Sequence, residues 1–409
     1  MCNNINICEM SDIFKIGFII VFICSNSFIP KYLKTFYDNN ELKWHNDSIN
    51  INSVKNEILY YQNFTNLSLS TFNLKNIQNT EQPKISLIVP VYNSQDNLIN
   101  FYMSVYNQSL TDIEIIFIND ASNDTSTKII EEIMLKDKRI IYINNTNQIR
   151  EFFSKKKGVL KSKGEYILIL EPDDLLLNNI LEKSYTIAKQ NNLDILQYYL
   201  MVGSYKNNRL WKNIKCNKGI IKYPKIEKFF FNCRYFNLLD KLIKRDIFIN
   251  SLKDMTRLYN SDEFDEVSDD DLAFFAMAKK AKSYGFFEEI GYFYKLTSSA
   301  DTGHFTFLKK TMNNKWNEIF LKLFKTMNYF FVKTKNNREQ KFWVFKFFYN
   351  KVYNYRNKLI FINKHFDFFN EVLNKFLECS LFSQEEKQQI KKFKKQMNDI
   401  KMKLEQYID

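Results

Sequence analysis

Compact apolar runs alternate with stretches of helical spacing through the middle of the chain. KISLIVP (84–90) is a β-branched run closed by Pro90, and Asp96 to Gln108 then places Leu98, Ile99, Tyr102, Val105 and Tyr106 at helical intervals. IEIIFIN (113–119), RIIYIN (139–144) and EYILIL (165–170) read as further strands, with helices expected over Thr125 to Leu135 and Leu175 to Gln190. This rhythm predicts right-handed βαβ units: an α/β fold with a mostly parallel sheet flanked by helices. Residues 85–89 and 166–170 are apolar without alternation, as strands covered on both faces are. Ligands of such sheets sit beyond the carboxyl ends of the strands. The segments to inspect are therefore Pro90 to Asn93, Asn119 to Asp124, and Glu171-Pro172-Asp173-Asp174.

The flanks differ. Residues 39–82 are rich in Asn and Ser with no sustained period, which predicts a stem or a loosely packed lead-in. Upstream, IFKIGFIIVFICSNSFI (13–29) confines its apolar run to Gly17 through Cys24, short of the roughly 20 residues of a bilayer span. A membrane anchor, a cleaved signal peptide and a soluble hydrophobic helix all fit it. Lys31 and Lys34 after the run, against Glu9 and Asp12 before it, predict by the positive-inside rule that the rest of the chain is cytosolic. From about His304 the chain is Lys-, Asn- and Phe-rich with helical periodicity. It ends on Ile390, Phe393, Met397, Ile400, Leu404 and Tyr407 at spacings of three and four, behind a capping box from Ser383 to Glu386. Packing within its own domain and a homo-oligomer seam both fit that stripe. The expected organisation is an N-terminal segment and stem (1–82), an α/β domain (83–303) and a helical C-terminal region (304–409).

Composition narrows the function classes. The 409 residues suffice for two or three compact units, and 45 % apolar with 26 % charged residues excludes wholesale disorder. Basic residues outnumber acidic ones, 59 to 46. The lysines are scattered and accompany other residues with A/T-rich codons, and no zinc-finger, helix-turn-helix or RNA-recognition signature joins them. No nucleic-acid partner is expected, whereas acidic small molecules such as nucleotides suit the balance. Six cysteines without a CxxC pair exclude a disulfide framework or zinc site, and His45, His304 and His365 form no cluster. Asn-x-Ser/Thr sequons are frequent in so Asn-rich a chain, and the one at Asn123 falls inside a strand-end turn that a glycan would obstruct.

An acidic cluster after a buried strand can ligate a hard cation that also bridges phosphate oxygens. LEPDD (170–174) has that composition, although Asp173 or Asp174 capping the following helix accounts for it equally well, and NDASND alone reads as an Asx-type turn. Order and spacing add to this. VPVYNSQDNL, then IEIIFINDASNDTS, then KGEYILILEPDD resembles, segment by segment, the nucleotide-sugar-binding half of glycosyltransferase family 2, whose fold is the GT-A (nucleotide-diphospho-sugar transferase) type. The likeness covers roughly residues 83–300.

The resemblance implies an inverting, metal-dependent transferase that moves a sugar from a UDP-sugar to a hydroxyl on a glycan, lipid or protein. Pro90, Val91 and Tyr92 would line the uracil pocket and Asp120 would bond the base. Glu171 stands where the family has its first Asp, Asp173 would ligate Mn²⁺ or Mg²⁺, and Asp174 would face the donor sugar. DKLIKRDIF (240–248) resembles a segment near the acceptor. SDDDLAFF (268–275) would supply Asp271 as the base, with Asp270 before it, although the same residues also make a good N-cap and acidic first turn. Departures are Glu for Asp at 171 and Lys155 in SKKKG where an Arg is usual, which would meet a phosphate as a point charge. Asp240 and Asn119 also depart from the pattern. They motivate an alternative: a catalytically inactive GT-A-like subunit that binds a nucleotide sugar or acts as a scaffold.

Overall fold

The computed structural model describes residues 51–64, 67–149, 151–203, 211–213, 219–222, 238–259, 273, 276–277, 280–295 and 366–405. The chain divides into two units, Met1–Ile49 and Asn50–Asp409. The first, with the 13–29 segment, lies outside the described residues.

In chain order the elements are α1 (Ile51–Gln62), β1 (Ile85–Val91), α2 (Leu98–Tyr106), β2 (Ile113–Asn119), α3 (Ser126–Lys136), β3 (Ile140–Asn144), α4 (Glu151–Lys161) and β4 (Tyr166–Ile169). There follow β5 (Leu175–Leu176), α5 (Ile180–Gln190), β6 (Ile195–Gly203), β7 (Trp211–Asn213), β8 (Gly219–Lys222), β9 (Lys241–Lys244), α6 (Arg245–Tyr259) and β10 (Ser283–Lys295). Two helices close the chain, α7 (Phe366–Glu378) and α8 (Gln384–Glu405).

One sheet runs β3-β2-β1-β4-β9-β6-β10-β5, with β7 beside β6 and β8 beside β10. The first four strands are parallel, as the alternation predicts. Beyond β4 the sheet becomes mixed, because β9 runs antiparallel to both β4 and β6 while β6 and β10 are parallel. Every residue of β1 and β2 is buried. Adjacent strand residues face opposite ways, and both faces are covered. Phe117 meets Phe101 of α2 edge-on at 6.3 Å, while Ile118 and Ile88 lie under Gly158 of α4, where a Cβ would sit 2.7 and 2.6 Å from their side chains. That glycine lets α4 lie close on the sheet. A buried ion pair joins Arg139 to Asp137 at 2.7 Å, and the Tyr102 hydroxyl donates to the same carboxylate at 3.2 Å.

Three local expectations are revised. The lead-in contains a helix, α1, whose Val54, Ile58 and Tyr61 are buried and whose Glu57 accepts the Asn178 N–H at 3.1 Å. Three apolar positions are too sparse a signal to stand out in an Asn-rich stretch. Leu175 and Leu176 pair with Phe293 and Tyr292 instead of opening a helix. Asn178 and Asn179, both left-handed at φ 55° and 52°, then turn the chain into α5. Asp173 and Asp174 therefore do not cap that helix.

At the C-terminus, α7 and α8 pack on each other. Val372, Leu373 and Phe376 are buried on α7, as are Ile390, Phe393 and Met397 on α8. The Ser383–Glu386 capping box forms reciprocally, at 2.8 and 3.2 Å. Among the described residues no helix is long and apolar enough to cross a membrane.

Candidate active site

The turns after β1 and β2 are laced into one surface at the carboxyl edge of the sheet. Asn93 donates its N–H to Ser122 Oγ and accepts the Asn123 N–H on Oδ1, both at 3.0 Å. The Gln95 N–H donates to Asp124 Oδ2 at 3.0 Å, while Gln95 Oε1 accepts the Thr125 N–H and hydroxyl at 3.1 and 2.8 Å. Burial alone would raise the Asp124 carboxyl, but hydrogen bonds from Ser126 and Gln95 outweigh it and hold the group below its usual range. The lacing forces left-handed backbone on Asn93 (φ 48°) and Ala121 (φ 60°). Asn tolerates that region, whereas Ala at 121 carries a cost that glycine would not.

Of the residues expected on the nucleoside side, Pro90 and Val91 are buried and the Val91 carbonyl accepts the Asp120 N–H at 2.8 Å. Their side chains are therefore core, and only backbone at these positions can reach a ligand. Tyr92, at 48 % exposure, is the open member of the trio. Asp120 is 4 % exposed at the carboxyl end of β2. Its Oδ1 accepts Asn145 Nδ2 at 2.9 Å and the Ile149 N–H at 2.8 Å, so the carboxylate is fixed in place.

After β4 the Glu171–Asp174 turn is fastened by β10. The buried Tyr292 hydroxyl donates to Asp174 Oδ2 at 2.6 Å and accepts the Glu171 N–H at 3.2 Å. The Lys295 N–H donates to Asp174 Oδ1 at 2.8 Å. Asp174 is fully buried with both oxygens engaged. This corrects the expectation that it faces the donor: it anchors the turn. Burial, then the neighbouring Asp173 charge, push its carboxyl well above the usual range.

Asp173 remains the partly open carboxylate. Its carboxyl is also raised, chiefly by burial and further by Glu151, while Lys295 pulls the other way. The Lys295 ammonium bonds Asn97 Oδ1 at the start of α2, which ties the third turn to the first two.

Lys155 also departs from expectation. It is 5 % exposed and ion-paired to Glu151 of its own helix and to Glu171 at 3.2 Å. The two departures from the family pattern, Lys155 and Glu171, are thus partners of each other, and this lysine is already neutralised by carboxylates. Asp270, Asp271 and His304 lie outside the described residues.

Among the described residues no three His, Cys, Asp or Glu side chains form a group that could hold a metal ion. A magnesium-type cation needs only one or two carboxylates when substrate phosphates complete its shell. Asp173, half-buried, can supply such a carboxylate with Lys295 nearby; Asp174, with both oxygens engaged, does not.

Sequence reasoning missed Tyr292, Tyr294, Lys295 and Asn145. A signal existed for the first three: GYFYK ends its strand on two tyrosines and a lysine, and a buried hydroxyl needs a partner.

Comparison with known proteins agrees with this geometry. Residues 86–248 match the family model described as Glycosyl transferase family 2. An uncharacterized glycosyltransferase of Haemophilus influenzae is 41 % identical over 112 residues, 27 % of this chain and 44 % of that protein. The poly(ribitol-phosphate) beta-N-acetylglucosaminyltransferase TarP of Staphylococcus aureus is 27 % identical over 269 residues, 63 % of this chain and 76 % of TarP. The chain spans 44 % and 39 % of the lengths of two curated relatives that it matches. Among solved structures, S. aureus TarS 1-349 superposes with a TM-score of 0.54 at 15 % identity, over 72 % of this chain and 80 % of that one. The same protein in complex with UDP also gives 0.54, at 13 % identity over 79 % and 90 %. These two likenesses establish the GT-A-like fold.

Proposed function

Because residues 86–248 match the family model described as Glycosyl transferase family 2, we propose that this chain is an inverting transferase that moves a sugar from a UDP-sugar donor to an acceptor hydroxyl. The observation that carries this reading is the joining of three strand-end turns at one edge, with Asp120 fixed at the end of β2 and Asp173 half-buried after β4. The solved complex of the similar TarS fold with UDP supports the nucleotide. The names of two relatives, an N-acetylglucosaminyltransferase and a glucosyltransferase, make UDP-N-acetylglucosamine and UDP-glucose the donors to test first. The acceptor is a hydroxyl of a glycan, lipid or protein.

In this mechanism Tyr92 and the backbone at Pro90 and Val91 receive the uracil, with Asp120 bonding its edge. Asp173 would hold a divalent cation, Mn²⁺ or Mg²⁺, which when bound would offset the charge of the departing diphosphate. Asp271 takes the proton of the acceptor hydroxyl as that oxygen attacks the anomeric carbon. The bond from that carbon to the diphosphate oxygen breaks, its electron pair leaves with UDP, and configuration inverts. Glu171 and Lys155 pair with each other instead of meeting phosphate.

Calorimetry of UDP with the full chain, with and without Mn²⁺, tests the donor site. Metal-dependent binding that Asp173→Ala abolishes supports it, and equal binding by that variant removes Asp173 from the site. Asp271→Ala should keep UDP binding and lose transfer; retained transfer removes Asp271 from the mechanism. The Lys155–Glu171 pair favours one second reading, a subunit that binds nucleotide sugar without turning it over. Asp173-dependent hydrolysis of any UDP-sugar would exclude it.

A further inference from the structure

Strand β10 stands on the far side of β4 from β1 and β2, where the nucleoside is received. A nucleoside diphosphate sugar laid along this edge, with base at β1 and β2 and diphosphate at Asp173, carries its sugar toward β10. Two residues at the end of β10 are already occupied in holding the turn: Tyr292 through its hydroxyl and Lys295 through its N–H. Tyr294 lies between them and is 37 % exposed in a strand whose neighbours Tyr292 and Phe293 are buried.

From this placement we propose that Tyr294 is a positioning residue for the donor sugar, its ring packing on the sugar and its hydroxyl donating a hydrogen bond to it. The inference rests on the donor-site reading above and adds the residue that distinguishes a UDP-sugar from UDP. An aromatic ring with a polar tip suits a pyranose, which presents C–H groups on its face and hydroxyls at its rim. The surroundings keep the phenol a donor. Burial first, then the charges of Asp174, Asp173, Glu171 and Glu151, push its pKa up to about 12, so it holds its proton at neutral pH. A solvent-facing tyrosine at a strand end with no ligand to meet would owe nothing to this arrangement and could be trimmed without consequence for binding.

The experiment measures affinities of the full chain for UDP and for UDP-N-acetylglucosamine and UDP-glucose with Mn²⁺, in wild type, Tyr294→Phe and Tyr294→Ala, alongside thermal unfolding. For whichever UDP-sugar binds wild type more tightly than UDP does, Tyr294→Ala should erase at least tenfold of the difference. Tyr294→Phe should recover part of it through the ring, and both variants should hold UDP within about twofold of wild type. An unchanged UDP-sugar to UDP ratio in Tyr294→Ala overturns the proposal. Equal weakening of UDP and UDP-sugar overturns it too, since that is the mark of a merely structural residue. If wild type binds UDP but gains nothing from the sugar, this inference falls and the donor-site reading stands. If wild type binds neither, both fall.

Discussion

Removal of one hydroxyl, Tyr292→Phe, tests how the Glu171–Asp174 turn is held. That hydroxyl donates to Asp174 Oδ2 at 2.6 Å and accepts the Glu171 N–H at 3.2 Å, and both Tyr292 and Asp174 are fully buried. A hydrogen bond contributes about 0.5–1.5 kcal/mol net, and each buried group left without its partner costs about 1–3 kcal/mol. Contributions of this kind are not additive, so the expected loss of unfolding free energy is about 3–5 kcal/mol. Tyr284→Phe is the matched control. Its hydroxyl donates at 2.7 Å to the neutral Gln197, also buried, and it stands at the opposite end of β10 from Tyr292. It should cost about 1–2 kcal/mol. Urea unfolding of wild type and both variants gives the stabilities, and UDP titration with Mn²⁺ gives the functional readout. Tyr292→Phe should weaken UDP at least tenfold, because the Asp173 carboxylate is carried by the loosened turn, whereas Tyr284→Phe should leave UDP affinity unchanged. A loss below 1 kcal/mol in Tyr292→Phe, or equal effects of the two variants on UDP, would refute the fastening account.

Three further outcomes follow from residues outside that turn. Ala121→Gly should raise the unfolding free energy by about 1 kcal/mol, since it relieves a left-handed alanine at φ 60°; a destabilised variant in urea titration would contradict this. Arg139→Ala leaves the buried Asp137 carboxylate without its cation and should cost about 3–5 kcal/mol, whereas a midpoint unchanged within error would show that the pair is dispensable. Glu57 has its carboxyl raised above the usual 4.5, first by burial, with the Asn178 N–H and Lys183 opposing. Its contribution to stability is therefore full below pH 4.5 and fades as pH rises through the raised value. Glu57→Gln should compare more favourably with wild type at pH 7 than at pH 4 in paired unfolding curves, and the opposite ordering would refute the sign.

Much of the parallel half was legible because its strands are short and β-branched and three of them, β1, β2 and β4, are buried on both faces; β2, for instance, spans the residues its apolar run marks out. Leu175 and Leu176 were misplaced because a short apolar run fits a helix start or a strand equally well. What decides between them is pairing with β10, far along the chain. The candidate site divides the same way. Residue type and position drew attention to Asp120 and Asp173. That Asp174 is an anchor and that Lys155 is neutralised depend on which side chain folding brings alongside, and no local pattern encodes that. Asp174 and Asp173 are neighbours in sequence, yet one is fully buried and the other half-buried, and it is the buried one that Tyr292 and the backbone of Lys295 hold.

The fastening of that turn by β10 also bears on how the protein is made. Tyr292 lies 118 residues beyond Asp174, and Lys295 lies 121 beyond it. Contacts so distant in sequence are slow to form, because a long loop must close first. On a ribosome, the first four strands can emerge and pair while Asp173 still sits on an untethered turn, and the turn is fixed only when β10 threads in beside β6. The stretch matched by the family model ends at residue 248, before β10 begins. A shortened gene product ending there would display the three strand-end motifs and lack the clasp, so the order of synthesis makes assembly of this edge a late event.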